Sequence, residues 1–299
     1  HSRFLYERIM EKIRFRKKTP FSPRIELVQN VDQVISNLIN KKESKLISRI
    51  GFVETLAVSE FIKYGNISRK QEKLLQQNAG FYVKQKNDLE KFCNINIEAL
   101  LNSDLLGYIP SAKQYDLFQS LSLGKKTYTT LNSFEPFLRS ENWMTKMTKK
   151  EICVVSPFIM TMKKQVDKLN LIHIGHDFQK HNFSFVASPI TNCEYDKNSS
   201  DMSWFDRLLI MKESIEKISP DLVIIGAGAY GPVLGHLLKN ENNISSIVSG
   251  GATQLLFGII GKRWEKRQSY RKLFNKNWRR PSANEIPKGH EKVEDGCYW

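Results

Sequence analysis

The sequence predicts an α/β fold, a doubly wound, mostly parallel, Rossmann-like sheet with helices on both faces. Short apolar runs rich in β-branched residues alternate with helical stretches, the pattern of strands buried on both faces. Several of these runs end in a glycine, serine or proline and pass directly into a helical segment. One such junction, "DLVIIGAGAYGPVLGHLL" over residues 221–238, holds a G-x-G-x-x-G turn between strand and helix. Ligands of such sheets bind at the carboxyl ends of the strands, so the junctions are where site residues are sought.

Taken in order, residues 4–18 read as a basic helix with Leu5, Ile9 and Ile13 on one face, closed by Pro20 and Pro23. It makes 1–20 a basic N-terminal element ahead of one domain over 21–299. Residues 31–40 read as a helix, and "NKKES" as a polar turn. "KLISRIGFVETLAVSEFIKYG" runs from a short strand through Gly51 into a helix that stops at Gly65. Helices follow over 68–77 and 88–101, separated by "NAGFY". Residues 108–150 are irregular, and "SFEPF" with Trp143 suggests loops and short helices over a pocket. "EICVVSPF" is a strand backed by the helix "IMTMKKQVDKL"; "FSFVASPI" is another strand. The polar loop "NCEYDKNSSD" leads to the helix "WFDRLLIMKESIEKI", the glycine-rich junction and a last strand, "ISSIVSGG".

The chain of 299 residues is ample for a hydrophobic core, and 46 Lys+Arg against 31 Asp+Glu leaves +15. That balance points to anionic partners, among them phosphorylated substrates, an anionic membrane surface and nucleic acid. Cys93, Cys153, Cys193 and Cys297 are far apart with no C-x-x-C pair, which argues against a zinc site or disulfide framework and for a cytoplasmic protein. No segment reads as membrane-spanning, and the charged N-terminus is no signal peptide.

Gly226, Gly228 and Gly231 permit positive φ and close backbone approach, and the helix start behind them presents N–H groups and a partial positive charge. The turn therefore suits a phosphate-bearing ligand, or stands as a tight turn with no ligand. An NAD-type site needs an acid roughly 20 residues on, and the nearest acids, Glu241 and Glu265, lie before and well beyond the next strand. "SRIGFVE" places Arg49 and Glu54 at a strand-to-helix turn, where they suit phosphate binding and acid–base work. A helix-start carboxylate favoured by the macrodipole accounts for Glu54 equally well. "HIGHDFQKH" crowds His173, His176, Asp177 and His181 into a strand and loop, without metal-site spacing. Residues 262–280 interleave nine basic residues with aromatics. The four-residue spacing of Tyr270, Phe274 and Trp278 predicts one helix face packed on the domain.

"SRIGFVE", "NAGFY", "VVSPF", "WFDRLLIMKESI", "DLVIIGAGAYG", "GGATQLLFGIIGKRW" and "NWRRPS…VEDGCYW" together resemble bacterial glycosyltransferases of the GT-D fold class, over most of the chain. The resemblance implies a transferase that moves a sugar from a nucleotide-sugar donor to a glycan or lipid-linked acceptor in surface polysaccharide synthesis. It implies Arg49 and Glu54 as catalytic candidates. It also implies a donor site of Gly51, Gly226, Gly228, Tyr230, Gly231, Gly250, Gly251, Thr253 and Gln254. In that class a D-x-E motif binds a divalent ion, but the aspartate position here is Phe52. No metal ligands are therefore assigned, and manganese or magnesium is left as an optional cofactor. The location implied is cytoplasmic and peripheral at the inner membrane face, with no nucleic-acid partner expected. The competing expectations are an NAD(P)-dependent Rossmann oxidoreductase and a basic nucleic-acid-binding protein. Asp177, Glu194 and Asp201 are secondary acid candidates.

Overall fold

A computed structural model describes residues 25–193 and 201–299. The basic helix expected over residues 1–20, and Glu194, lie outside them. The centre of the molecule is a seven-stranded, all-parallel sheet in the order β3-β2-β1-β7-β6-β4-β5. Its strands are β1 (Leu46–Arg49), β2 (Leu105–Tyr108), β3 (Tyr128–Thr130), β4 (Glu151–Ser156), β5 (Asn182–Ala187), β6 (Leu222–Ile225) and β7 (Ser245–Val248). Every pairing is parallel, with Ile47 of β1 opposite both Leu105 and Ile247. The expected α/β, doubly wound architecture is the one observed.

Two apolar layers enclose the sheet. Alternation along each strand sends neighbouring side chains to opposite faces, so Leu46, Val223 and Ile225 enter one cluster while Ile47, Ile224 and Ile247 enter the other. The main helices are α1 (Val31–Ile39), α2 (Phe52–Tyr64), α3 (Arg69–Leu74), α4 (Asp88–Asn102), α5 (Ala112–Ser120), α6 (Ile159–Gln165), α7 (Trp204–Ile218) and α8 (Tyr230–Asn242). Buried residues of α2, α4, α5, α7 and α8 line the first face. The second face is covered by α1, the β3–β4 crossover, α6 and the C-terminal segment from Leu255 to Trp299. The chain leaving β1 thus turns to one face and the chain leaving β7 to the other. A crevice opens where adjacent strands part in this way.

Local chemistry explains the boundaries. α2 stops because Gly65 adopts φ 71° and returns its N–H to Phe61. α7 begins in a capping box between Ser203 and Asp206. On the second face, Asp32 of α1 takes both arms of Arg139 at 2.5 and 2.8 Å, tying α1 to the crossover.

Some expected elements are corrected. The stretch 108–150 is more ordered than expected, since it holds α5 and β3, and β2 ends at Tyr108. These strands have four and three residues, too short to register as periodicity. The helix expected over 68–77 becomes a π-turn from Leu75 to Ala79. His173 follows a helical turn, Leu169–Ile172, and is not on a strand. The single helix expected over 262–280 is two one-turn helices, Lys262–Glu265 and Gln268–Arg271, separated by extended backbone at Arg267. Tyr270 and Trp278 nevertheless pack into the second apolar layer.

Candidate functional site

The carboxyl edge of the sheet presents several helix starts, each an attractor for negative charge. Most are filled by the chain's own oxygens. At α6, the buried Glu285 carboxylate accepts from the N–H groups of Met160 at 2.7 Å and Thr161 at 3.2 Å. At the glycine-rich turn before α8, the carbonyl of Ala79 accepts from the Ala229 N–H at 3.0 Å. Gly228 has φ 54°, and a Cβ there would stand 2.9 Å from the same Ala79 carbonyl. The "NAGFY" segment therefore lies on the turn, where a pyrophosphate would have to sit.

The other residues of that turn face inward. Gly226 abuts Thr253 and the Gly250 carbonyl, while Gly231 abuts Val248, a close helix–strand contact. Tyr230 is buried and stacked on Trp204, with ring centres 4.3 Å apart. Thr253 donates to the Gly250 carbonyl at 2.7 Å and lies 2.5 Å from the Ser249 hydroxyl. Gln254 spends its amide protons on the carbonyls of Ile259 and Tyr298, at 3.1 and 3.0 Å. These residues build the turn and hold the C-terminal segment against it.

Arg49, Gly51, Glu54, Gly250 and Gly251 do converge, in the crevice between β1 and β7. Arg49 ends β1 and lies against Gly250, where φ is 66° and a Cβ would come 3.2 Å from Nη1. Only glycine serves both the turn and that close approach. Among the described residues, Arg49 makes no ion pair or side-chain hydrogen bond. Burial pulls its pKa below the ordinary arginine value against the opposing fields of Tyr298, Glu54 and Glu135, and the group stays protonated. A half-buried guanidinium left unpaired is costly. An anionic ligand would relieve that cost.

Glu54 is only 7% exposed, which corrects the picture of a surface helix-start acid. Its carboxylate folds back over Gly51, so closely that a Cβ on Gly51 would overlap it. Burial raises its pKa above 4.5, while a bond from its own backbone N–H and the charge of Arg49 pull the other way. It lies over the start of its own helix.

Residues outside the expected set complete the crevice. The Tyr298 ring lies against Gly251. The Arg263 guanidinium carbon sits 4.6 Å from that ring's centre, and Nη1 donates to the hydroxyl at 3.2 Å. Arg263 also pairs with Glu294. The closing turn carries Glu294 and Asp295 at φ 48° and 61°, left-handed conformations that non-glycine residues seldom adopt and that gather at functional sites. Glu135, in the β3–β4 crossover, is buried and accepts from the Tyr270 hydroxyl at 2.7 Å. Burial raises its pKa, and Tyr270, Arg267, Arg49 and Arg139 oppose that rise. The only advance sign of Glu135 is an acid inside "SFEPF", in a stretch expected to cover a pocket.

The remaining candidates lie elsewhere. His173 is buried with Nε2 3.1 and 3.0 Å from the Leu255 and Leu256 carbonyls. His181 Nε2 is 3.0 Å from the Met144 carbonyl, and His176 Nδ1 is 3.1 Å from the Asn142 amide. Asp177 and Asp201 are exposed. Among the described residues no group of three or more His, Cys, Asp or Glu side chains could hold a metal ion. The D-x-E metal arrangement does not fit here: Phe52 offers no ligand, Glu54 is turned to its own helix and a guanidinium stands next to it. A surface depression along α4, between Asn87 and Glu98, is open and away from this chemistry. No helix of the described residues is long and apolar enough to cross a membrane. No protein-family model, no curated protein and no solved structure matches the chain.

Proposed function

We propose that this protein is a glycosyltransferase that uses a nucleotide-sugar donor and a glycan or lipid-linked acceptor of surface polysaccharide synthesis. The observation that carries this reading is the unpaired Arg49 guanidinium at the β1/β7 crevice, beside the Gly250–Gly251 turn. A donor diphosphate is an anion of the right kind for it, because a guanidinium matches phosphate oxygens with paired donors. When the sugar leaves, charge develops on that diphosphate, and a cation already in place needs no reorganisation. Arg263 and Tyr298 flank the same crevice and suit the sugar or the phosphates. Glu54 keeps the α2 start and the field around Arg49 in order.

The glycine-rich turn supports the oxidoreductase alternative poorly, since Ala79 already takes its helix-start N–H and no ribose-binding acid follows it. The test is turnover of a panel of nucleotide-sugars, read as release of free nucleoside diphosphate, with and without EDTA. The expected result is release from one donor that persists in excess EDTA, since among the described residues no group of three or more His, Cys, Asp or Glu side chains could hold a metal ion. Release from none contradicts the reading. Release abolished by EDTA and restored by manganese contradicts its metal-independent form.

A further inference from the structure

We propose that the outer side of α6 and the loop behind it dock on an anionic lipid bilayer, with Leu171 and Ile174 entering the apolar boundary and lysines meeting the lipid phosphates. α6, the turn Val166–Lys168 and the turn Leu169–Ile172 follow one another without a break. Thr161, Met162, Gln165, Leu169 and Ile172 are buried, so the opposite side faces outward. That side carries Met160, Lys164, Lys168 and Leu171, all exposed, at spacings of four, four and three residues that keep them on one helix face. Leu171 is 56% exposed and Ile174 is 78% exposed. Gly175 turns the chain at φ 86°, and a Cβ there would meet nothing within 4 Å, so the loop tip stands open.

Hydrogen bonds hold this loop in place. Asn275 Nδ2 donates to the carbonyls of Leu171 and Ile172, both at 3.1 Å, and Asn277 Nδ2 donates to the Leu171 carbonyl at 3.1 Å. Trp278 Nε1 donates to the Ile172 carbonyl at 3.2 Å, and Gln165 Nε2 to the Asn277 carbonyl at 2.8 Å. Two exposed aliphatic side chains on a tethered backbone are a feature of the folded surface, and apolar exposure of that kind marks an interaction site. The same bonds bring the basic C-terminal segment alongside, with Lys276 between the two asparagines. The stretches 160–174 and 271–276 carry Lys163, Lys164, Lys168, Arg271, Lys272 and Lys276 against Asp167 alone, and all seven are exposed. Among the described residues none of these six cations is in an ion pair, whereas Lys212 and Lys239 are paired with acids. A nucleic acid would use the cations but has no place for bare aliphatic side chains. An anionic bilayer uses both, since apolar side chains enter its boundary while lysines reach its phosphates. α6 starts at the carboxyl end of β4, the sheet edge at which Arg49 ends β1. On the glycosyl-transfer reading above, docking there favours a lipid-linked acceptor over a free glycan; the docking itself does not depend on that reading.

The test is sedimentation of the full chain with vesicles of phosphatidylglycerol and phosphatidylcholine in equal parts, and of phosphatidylcholine alone. Wild type is compared with Leu171→Ser plus Ile174→Ser, with Lys164→Gln plus Lys168→Gln plus Lys276→Gln, and with a control changing the exposed Lys41, Lys42 and Lys217 to Gln. The changed side chains are exposed, so thermal melts should match wild type. Wild type should bind the anionic vesicles and release them as salt rises. The lysine variant should lose about fivefold in binding for each charge removed, and the control far less. The Leu171 and Ile174 variant should lose about tenfold or more. A separate Ile174→Trp protein reads insertion directly, because the five native tryptophans are all buried; its emission should shift to the blue on anionic vesicles and be quenched by brominated acyl chains. No binding to anionic vesicles, wild-type binding in either docking variant, or an unmoved Ile174→Trp emission overturns the proposal. A loss confined to the lysine variant, with equally strong binding to duplex DNA, assigns the face to polyanions instead. None of these outcomes bears on diphosphate release, so glycosyl transfer stands or falls by its own test.

Discussion

At the scale of single residues, the site is defined by which charges have partners. Glu285 and Asp32 are satisfied by N–H groups and by Arg139, whereas Arg49 has no ion pair or side-chain hydrogen bond among the described residues. Glu54 illustrates how burial and function pull apart. Its folded-state pKa is raised, with burial the leading cause. Between the ordinary carboxyl value and that raised value the unfolded chain has lost a proton that the folded protein keeps, so stability falls as pH rises through the window. Glu54→Gln has no such slope, and its amide oxygen can still accept from the helix N–H. Thermal melts from pH 4 to pH 8 should therefore show the variant gaining on wild type as pH rises. A gap that closes or reverses with rising pH would mean that the Glu54 charge is stabilised, not penalised, by its surroundings.

At the scale of elements, short runs of buried apolar residues, four in β4 and in β6 and two in β1 and in β7, made these strands legible, and Gly65 marked the end of α2 as expected. What remained hidden depends on contacts distant in sequence. Nothing within "GAGAYG" tells that Ala79 lies on the turn, or that Tyr298 packs against Gly251 next to the glycine that meets Arg49. The Arg49–Glu54 junction was legible as a place; the burial of Glu54 was not. The histidine-rich segment is similar: its residue types suggested metal, while its surroundings make it a buried prop of the second face. Burial holds His173 down to about 4, and burial likewise lowers His176 and His181. Below the unfolded value near 6.5 the unfolded chain binds protons that the folded chain refuses, so stability falls as pH drops from 6.5 to about 4. The His173 share is roughly 3 kcal/mol. Urea melts at pH 7 and pH 4.5 should show this loss, and His173→Gln should remove most of it. An equal loss in the variant would assign the acid sensitivity elsewhere.

At the scale of the whole molecule, the doubly wound sheet gathers β1, β7, the β3–β4 crossover and the C-terminal segment around one crevice, because the chain leaves β1 and β7 towards opposite faces. Other helix starts at that edge are closed by Glu285 and Ala79, so an anion has its clearest seat at Arg49. Replacing Arg49 by methionine removes a charge that has no partner among the described residues, and the fold should tolerate the change. The measurement closest to this claim is calorimetric titration of nucleoside diphosphates into wild type and Arg49→Met. One diphosphate should bind the wild type, and Arg49→Met should lose roughly 100-fold in affinity, as expected for a charged hydrogen-bonding partner worth about 2–3 kcal/mol. Equal affinity in a folded Arg49→Met protein, or no binding to the wild type, would contradict a diphosphate site at the β1/β7 crevice.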